Sequence, residues 1–188
     1  MRAILTILFS VLSAFSFGQN FDFVKVLPGK GIVYNNDSIL LNTTSLSDLY
    51  RKLNIEDTSE KNVFPITHWD GYDPETNEFI SGEDYTKEIN YKSITFNFSH
   101  ENSLDSLELI SIEIKEDKNL KVYTNNGFMI GMINPKLKEK LPLQNRNDYI
   151  SDDELTYNLY TYGISFYLEI MPNGNKRITK IETHIKIK

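Results

Sequence analysis

The sequence predicts an α+β protein built from two related helix-on-antiparallel-sheet modules packed as one compact unit. Three observations carry this. Val33-Tyr34-Asn35-Asn36-Asp37-Ser38-Ile39-Leu40-Leu41-Asn42 is echoed by Val122-Tyr123-Thr124-Asn125-Asn126-Gly127-Phe128-Met129-Ile130-Gly131. A short amphipathic segment follows each copy. The halves then converge again, Ser93-Ile94-Thr95-Phe96 resembling Gly163-Ile164-Ser165-Phe166, with a β-rich run after each. At 188 residues the chain is long enough for one domain or two small modules sharing a core.

The first element is an address. Met1-Arg2 gives a small positive region, and Ala3 to Phe17 is apolar or small and uncharged. As a helix this run would reach about 22 Å, short of the ~30 Å hydrocarbon core of a bilayer. Ser16 and Gly18 fit the small-residue positions of a cleavage site before Gln19, so residues 1–18 are expected to be a signal peptide and the mature protein periplasmic or secreted. The first module is then 19–118 and the second 119–188. No second long apolar run follows, so no transmembrane segment is expected in the mature chain.

In the first module, Ser45 is a helix cap with Asp48 three residues on, and Leu46, Leu49, Tyr50 and Leu53 share one face. In the second, Asn134 is the expected cap, Pro135 suits the first helical position, and Leu137 and Leu141 face one way. Such short helices need a sheet to dock on. Between helix and strand the first module carries an insert, 56–90, far longer than ordinary loops. Its Trp69, His68, Tyr72, Phe79 and Tyr85 amid many acidic residues predict an ordered loop packed on the sheet, anchored by Trp69. In the last strand Ile181, Thr183, Ile185 and Ile187 share one face and Glu182, His184, Lys186 and Lys188 the other, after a Pro172-Asn173-Gly174-Asn175 turn.

The segment Ile130-Gly131-Met132-Ile133-Asn134-Pro135-Lys136-Leu137-Lys138-Glu139-Lys140-Leu141-Pro142 resembles the opening of small envelope modules of the BamE/SmpA and β-lactamase-inhibitor-protein type. Leu41 to Leu49 is a second copy, with Asn42 where that family prefers Gly. The resemblance implies a protein-binding, non-enzymatic role. The Phe15-Ser16-Phe17-Gly18-Gln19 phrase and the Asn/Ile/Lys-rich body are similar to exported proteins of Bacteroidetes-type bacteria.

Chemistry is sparse. With no cysteine there is no disulfide, thiolate metal site or cysteine nucleophile. G-x-S-x-G, S-x-x-K with its partner motifs, H-E-x-x-H and G-K-[ST] signatures are all missing. His68 and Asp70 have the spacing of a metal pair on a strand but lack a third ligand. Asp73, Glu75 and Asn77, closed by Asp84, have alternating oxygens that suit calcium, although Pro74 stiffens the loop. His100 is expected in a hairpin turn, and His184 on a solvent-facing strand face. Asp37-Ser38-Ile39 and Asp105-Ser106-Leu107 resemble acceptors of Bacteroidetes periplasmic O-glycosylation. No cofactor is expected.

The formal charge is −6, and −7 once Arg2 is removed, which argues against nucleic acid as partner. Aromatic residues make up 12% of the chain, with Tyr157, Tyr160, Tyr162, Phe166 and Tyr167 crowded together. An alternating strand through this region puts Tyr160 and Tyr162 on one exposed face. Tyrosine is favoured at protein-binding surfaces. Trp69, Tyr72, Tyr160 and Tyr162 are therefore the candidate partner-binding residues. The function expected is a non-catalytic exported module that binds another envelope or secreted protein. The alternatives are a periplasmic immunity or inhibitor protein whose acidic surface neutralises a toxic enzyme, and a carbohydrate binder or enzyme using the Trp69 loop.

Overall fold

The computed structural model describes residues 21–56, 63–75, 78–101 and 107–186; for 63–73, 78–84 and 100–101 the description is of the backbone. The signal-peptide reading of 1–18 lies outside the described residues, as do Asn77, Asp105 and Ser106.

Val24 and Val26 alternate with Phe23 and Lys25, and Asp22–Leu27 accordingly forms a half-buried strand, β1. It turns back into β2 (Gly31–Tyr34), and β2 into β3 (Asp37–Leu40). Asn35 and Asn36 take φ of 45° and 84° in the β2–β3 connection, the left-handed geometry a two-residue hairpin needs and Asn tolerates. Far along the sequence, β8 (Leu120–Thr124) pairs in parallel with the free side of β1, giving a four-stranded sheet in the order β3-β2-β1-β8.

The second sheet has eight antiparallel strands: β4 (Val63–Asp73), β5 (Glu78–Tyr91), β6 (Ile94–Glu101), β7 (Glu108–Lys115), β9 (Tyr149–Ile150), β10 (Thr156–Leu159), β11 (Ile164–Ile170) and β12 (Lys176–His184). Their order is β4-β5-β6-β7-β12-β11-β10-β9, two four-strand meanders that meet where β7 pairs with β12. The registers are related by a two-fold rotation about the Glu113–Glu182 pair. Ile94 opposes Ile114 and Phe96 opposes Ile112 in one meander; Ile164 opposes Thr183 and Phe166 opposes Ile181 in the other.

This is a mostly β architecture, and the helix-on-sheet α+β expectation is corrected by it. Among the described residues there are two helices, α1 (Leu46–Leu53) and α2 (Leu137–Lys140), the second a single turn. The layer facing the large sheet is the small sheet, with β2 lying against β7 and β12. The Leu faces were real: Leu49, Leu53, Leu137 and Leu141 are buried in the one cluster that also holds Val24, Ile32, Phe96 and Ile181. What the helices do follows from width. Four strands span about 19 Å and eight about 38 Å, so the small sheet leaves the flanks of the large one bare. Tyr50 of α1 fills one flank beside Lys87 of β5, and the loop before α2 fills the other by placing Phe128 on Phe166 of β11. No helix among the described residues is long and apolar enough to cross a membrane.

Local details divide similarly. Ser45 caps α1, its side chain accepting from the Asp48 amide at 3.2 Å, and Asn54 ends it in the left-handed region. Asn134 does not cap α2. It stands at φ 46°, and its side chain binds Asn175 and the Lys176 amide, stitching 131–134 to β12. The Asn173-Gly174 turn forms as expected, with Gly174 at φ 79°. The described residues of 56–90 are not a loop laid on the sheet. They contribute the β4–β5 hairpin that widens the sheet, and Pro65 is tolerated because β4 is an edge strand. His100 lies within β6, opposite Tyr85, rather than in a turn. Strand β10 stops at Leu159, so Tyr160 and Tyr162 belong to the turn before β11 and do not continue an alternating face.

Candidate binding surface

Strand geometry disperses the nominated residues. Trp69 and Tyr72 lie on edge strand β4, registered with Ser81 and Phe79, and His68 is registered with Gly82. Asp73 ends β4 and Glu75 is in the connection to β5. Among the described residues no three His, Asp or Glu side chains cluster as metal ligands.

Tyr162 is engaged internally. Its hydroxyl donates to the Pro142 carbonyl at 3.1 Å and accepts from Gln144 Nε2 at 2.9 Å. Beside it, buried Asp148 accepts from the Gln144 and Thr161 amides, both at 2.8 Å. Burial pushes the Asp148 carboxyl up, but these donors outweigh it and leave it below the ordinary Asp value. A depressed folded value stabilises the protein above the unfolded one and is lost as pH falls through the folded one. Asp148→Ala is therefore expected to cost about 2–3 kcal/mol near neutral pH, the worth of charge-assisted bonds plus two orphaned amides. In urea titrations its deficit relative to wild type should begin to shrink below roughly pH 4, where the unfolded-state carboxylate takes up a proton, and go on shrinking as pH falls through the lower folded value. A deficit independent of pH would show that the charge contributes nothing.

Tyr160 packs at a tilt against His184, ring centroids 4.9 Å apart and planes at 47°, and helps to bury it. His184 is only 9% exposed, which corrects the solvent-facing expectation. Its Nδ1 lies 3.1 Å from the Ile185 carbonyl and its Nε2 3.1 Å from Ser165 Oγ. A carbonyl only accepts, so Nδ1 carries the proton and Ser165 donates to Nε2. A serine held by a histidine is a nucleophile–base pair in form, but Ser165 is 2% exposed and has no open line to a substrate atom. Glu182, the carboxylate next along this face, accepts from Tyr167 at 3.0 Å instead of orienting His184.

The rest of this outer face is neutralised in place. Glu113 stands opposite Glu182, and Lys180 and Lys115 meet it at 2.7 and 3.0 Å. Burial raises the Glu113 carboxyl, but the two ammonium groups prevail and hold it below its usual range. Lys180 Nζ also sits 3.7 Å above the Tyr167 ring, whose hydroxyl is pushed up by burial and by the nearby Glu182.

The small sheet differs. On its outward face Phe23 is 51% exposed, Tyr123 39% and Met129 49%. They share one patch: in the parallel β1–β8 register Phe23 stands beside Lys121 and Lys25 beside Tyr123, so the two aromatic residues lie on a diagonal, and Tyr123 bridges Met129. Lys121 Nζ lies 4.2 Å over the Phe21 ring. No outward position of β1, β2, β3 or β8 holds an acidic residue. The local signal was present, since Phe23 and Lys25 alternate with two valines, but the β1–β8 pairing that assembles the patch joins residues almost a hundred positions apart. No protein-family model matches the chain, and no curated protein or solved structure matches it.

Proposed function

We propose that the chain is a non-catalytic, exported protein-binding module of a bacterial envelope, and that it receives its partner on the outward face of the four-stranded sheet. The observation that supports this is the joined exposure of Phe23, Tyr123 and Met129. Single exposed apolar side chains are ordinary, whereas a contiguous patch marks an interaction surface. Met adds a side chain that reshapes to its partner, and Tyr gives a large rigid contact with a polar end. Export rests on the apolar run at Ala3–Phe17 and the Ser16/Gly18 site. Trp69 and Tyr72, on the free edge of β4, are nominated as a further contact.

The test is capture from envelope extract by immobilised mature protein beginning at Gln19, beside a Phe23→Ser/Tyr123→Ser variant. Both changes fall on outward positions and should leave the melting temperature within a few degrees of wild type. Interface anchors are worth about 1–2 kcal/mol or more each, so specific capture should fall at least tenfold. Undiminished capture by the variant would remove this face from the reading.

A further inference from the structure

Resting on the protein-binding reading above, we infer that the occupant of this face is an acidic polypeptide in extended form, with apolar and acidic side chains alternating at every second residue so that both kinds lie on the face it presents. The register supplies the pattern. On β1 the outward residues run Phe23 then Lys25; on β8, in parallel and in step, they run Lys121 then Tyr123. Aromatic and ammonium groups thus alternate both along and across the strands, in a checkerboard with steps of about 6.6 Å along and about 4.8 Å across. An extended chain repeats its side chains on one face at the same two-residue interval, so it can seat apolar groups beside Phe23 and Tyr123 while its carboxylates reach Lys25 and Lys121.

Charge selects the sign. Neither Lys25 nor Lys121 has a carboxylate partner within ion-pair distance among the described residues, whereas Lys180 and Arg177 on the large sheet are paired to Glu113 and to Glu116 and Glu169. The chain is acidic overall, yet this apolar patch carries cations and no acid on its outward positions. A partner that leaves the two ammonium groups buried and unpaired is disfavoured, and a carboxylate-bearing one is steered in. An anionic membrane fits less well. Two lysines add only roughly thirtyfold to membrane affinity, and the net charge of −6 opposes approach.

The experiment titrates isotope-labelled mature protein with extended peptides of repeating Leu-Ser-Xaa-Ser, in which Xaa is Glu, Ser or Lys and shares one face with Leu, following backbone amide shifts. The Glu peptide should bind tightest, move the amides of Phe23, Lys25, Lys121 and Tyr123, and weaken as salt rises. Lys25→Glu/Lys121→Glu should cut that affinity about tenfold or more and reverse the Glu-over-Lys preference, with the melting temperature unchanged. Equal binding of the three peptides, or shifts confined elsewhere, would overturn the inference. So would binding to phosphatidylglycerol vesicles with no response to the Glu peptide. Capture of envelope partners that is lost in Phe23→Ser/Tyr123→Ser but unaffected by the double charge reversal would overturn the acidic occupant while leaving the protein-binding reading intact.

Discussion

Gly163→Ala is expected to lower the melting temperature by on the order of 10 °C or more, while Gly174→Ala lowers it by about 2–4 °C. Both glycines sit in the left-handed region, at φ 71° and 79°, so both substitutions carry the same backbone penalty of about 1 kcal/mol. Their surroundings differ. A Cβ on Gly174 meets nothing within 4 Å, but on Gly163 it falls 2.4 Å from Gly29 Cα and 2.7 Å from both Gly29 N and the His184 carbonyl oxygen. These are backbone atoms and cannot rotate aside. The displaced node is also where the sheets are fastened together: the Gly29 amide donates to the Gly163 carbonyl at 2.9 Å and to Thr183 Oγ1 at 3.1 Å. Thr183 Oγ1 in turn lies 3.2 Å from the Leu27 and Gly163 carbonyls. Forcing the turns apart combines overpacking, about 1–3 kcal/mol, with these lost bonds at about 1 kcal/mol each. Equal shifts in the two variants would mean that the contact between the β1–β2 and β10–β11 turns does not hold the sheets.

What the sequence discloses and what it hides separate along the range of the interaction. Ser45 with Asp48, the Leu49/Leu53 face and the Asn173-Gly174 turn are local patterns, and each appears where the residues place it. The fold class depends on which strands find each other, and no window of sequence contains that. Two short apolar helix faces suggest a helix layer, but the β1–β8 pairing builds a second sheet that occupies that layer first. The 56–90 insert conceals its strands because Pro65 and the acidic residues break the usual alternation, features an edge strand tolerates. His184 follows a polar alternation and is nevertheless buried, because the ring that covers it, Tyr160, comes from a turn rather than from a paired strand. The exposed face is hidden for the same reason as the fold. Phe23 and Tyr123 are unremarkable apart and form a surface only when β1 and β8 are brought into register.

Phe166→Ala should show how firmly the α2 side of the core closes that arrangement. Phe166 is fully buried between Tyr157 and Ile181 in the strand register, and its ring meets Phe128 edge-on, centroids 5.2 Å apart at 67°. Removing a buried Phe costs about 3–5 kcal/mol. At about 2–4 °C per kcal/mol that is a fall of roughly 6–20 °C. Tyr167→Ala, one residue on but facing outward, should cost distinctly less. Phe128→Ala should cost as much as Phe166→Ala, since Phe128 is equally buried and packs the start of the segment after β8 onto β11, beside the backbone bonds from 131–134 to β12. Because the rings touch, the losses should not add: the double variant should be less destabilised than the sum by about 0.5–1.5 kcal/mol, the worth of an edge-to-face aromatic pair. Strict additivity in urea unfolding would leave each ring filling its own space, and the flank beside α2 would then be held by separate contacts with the two sheets.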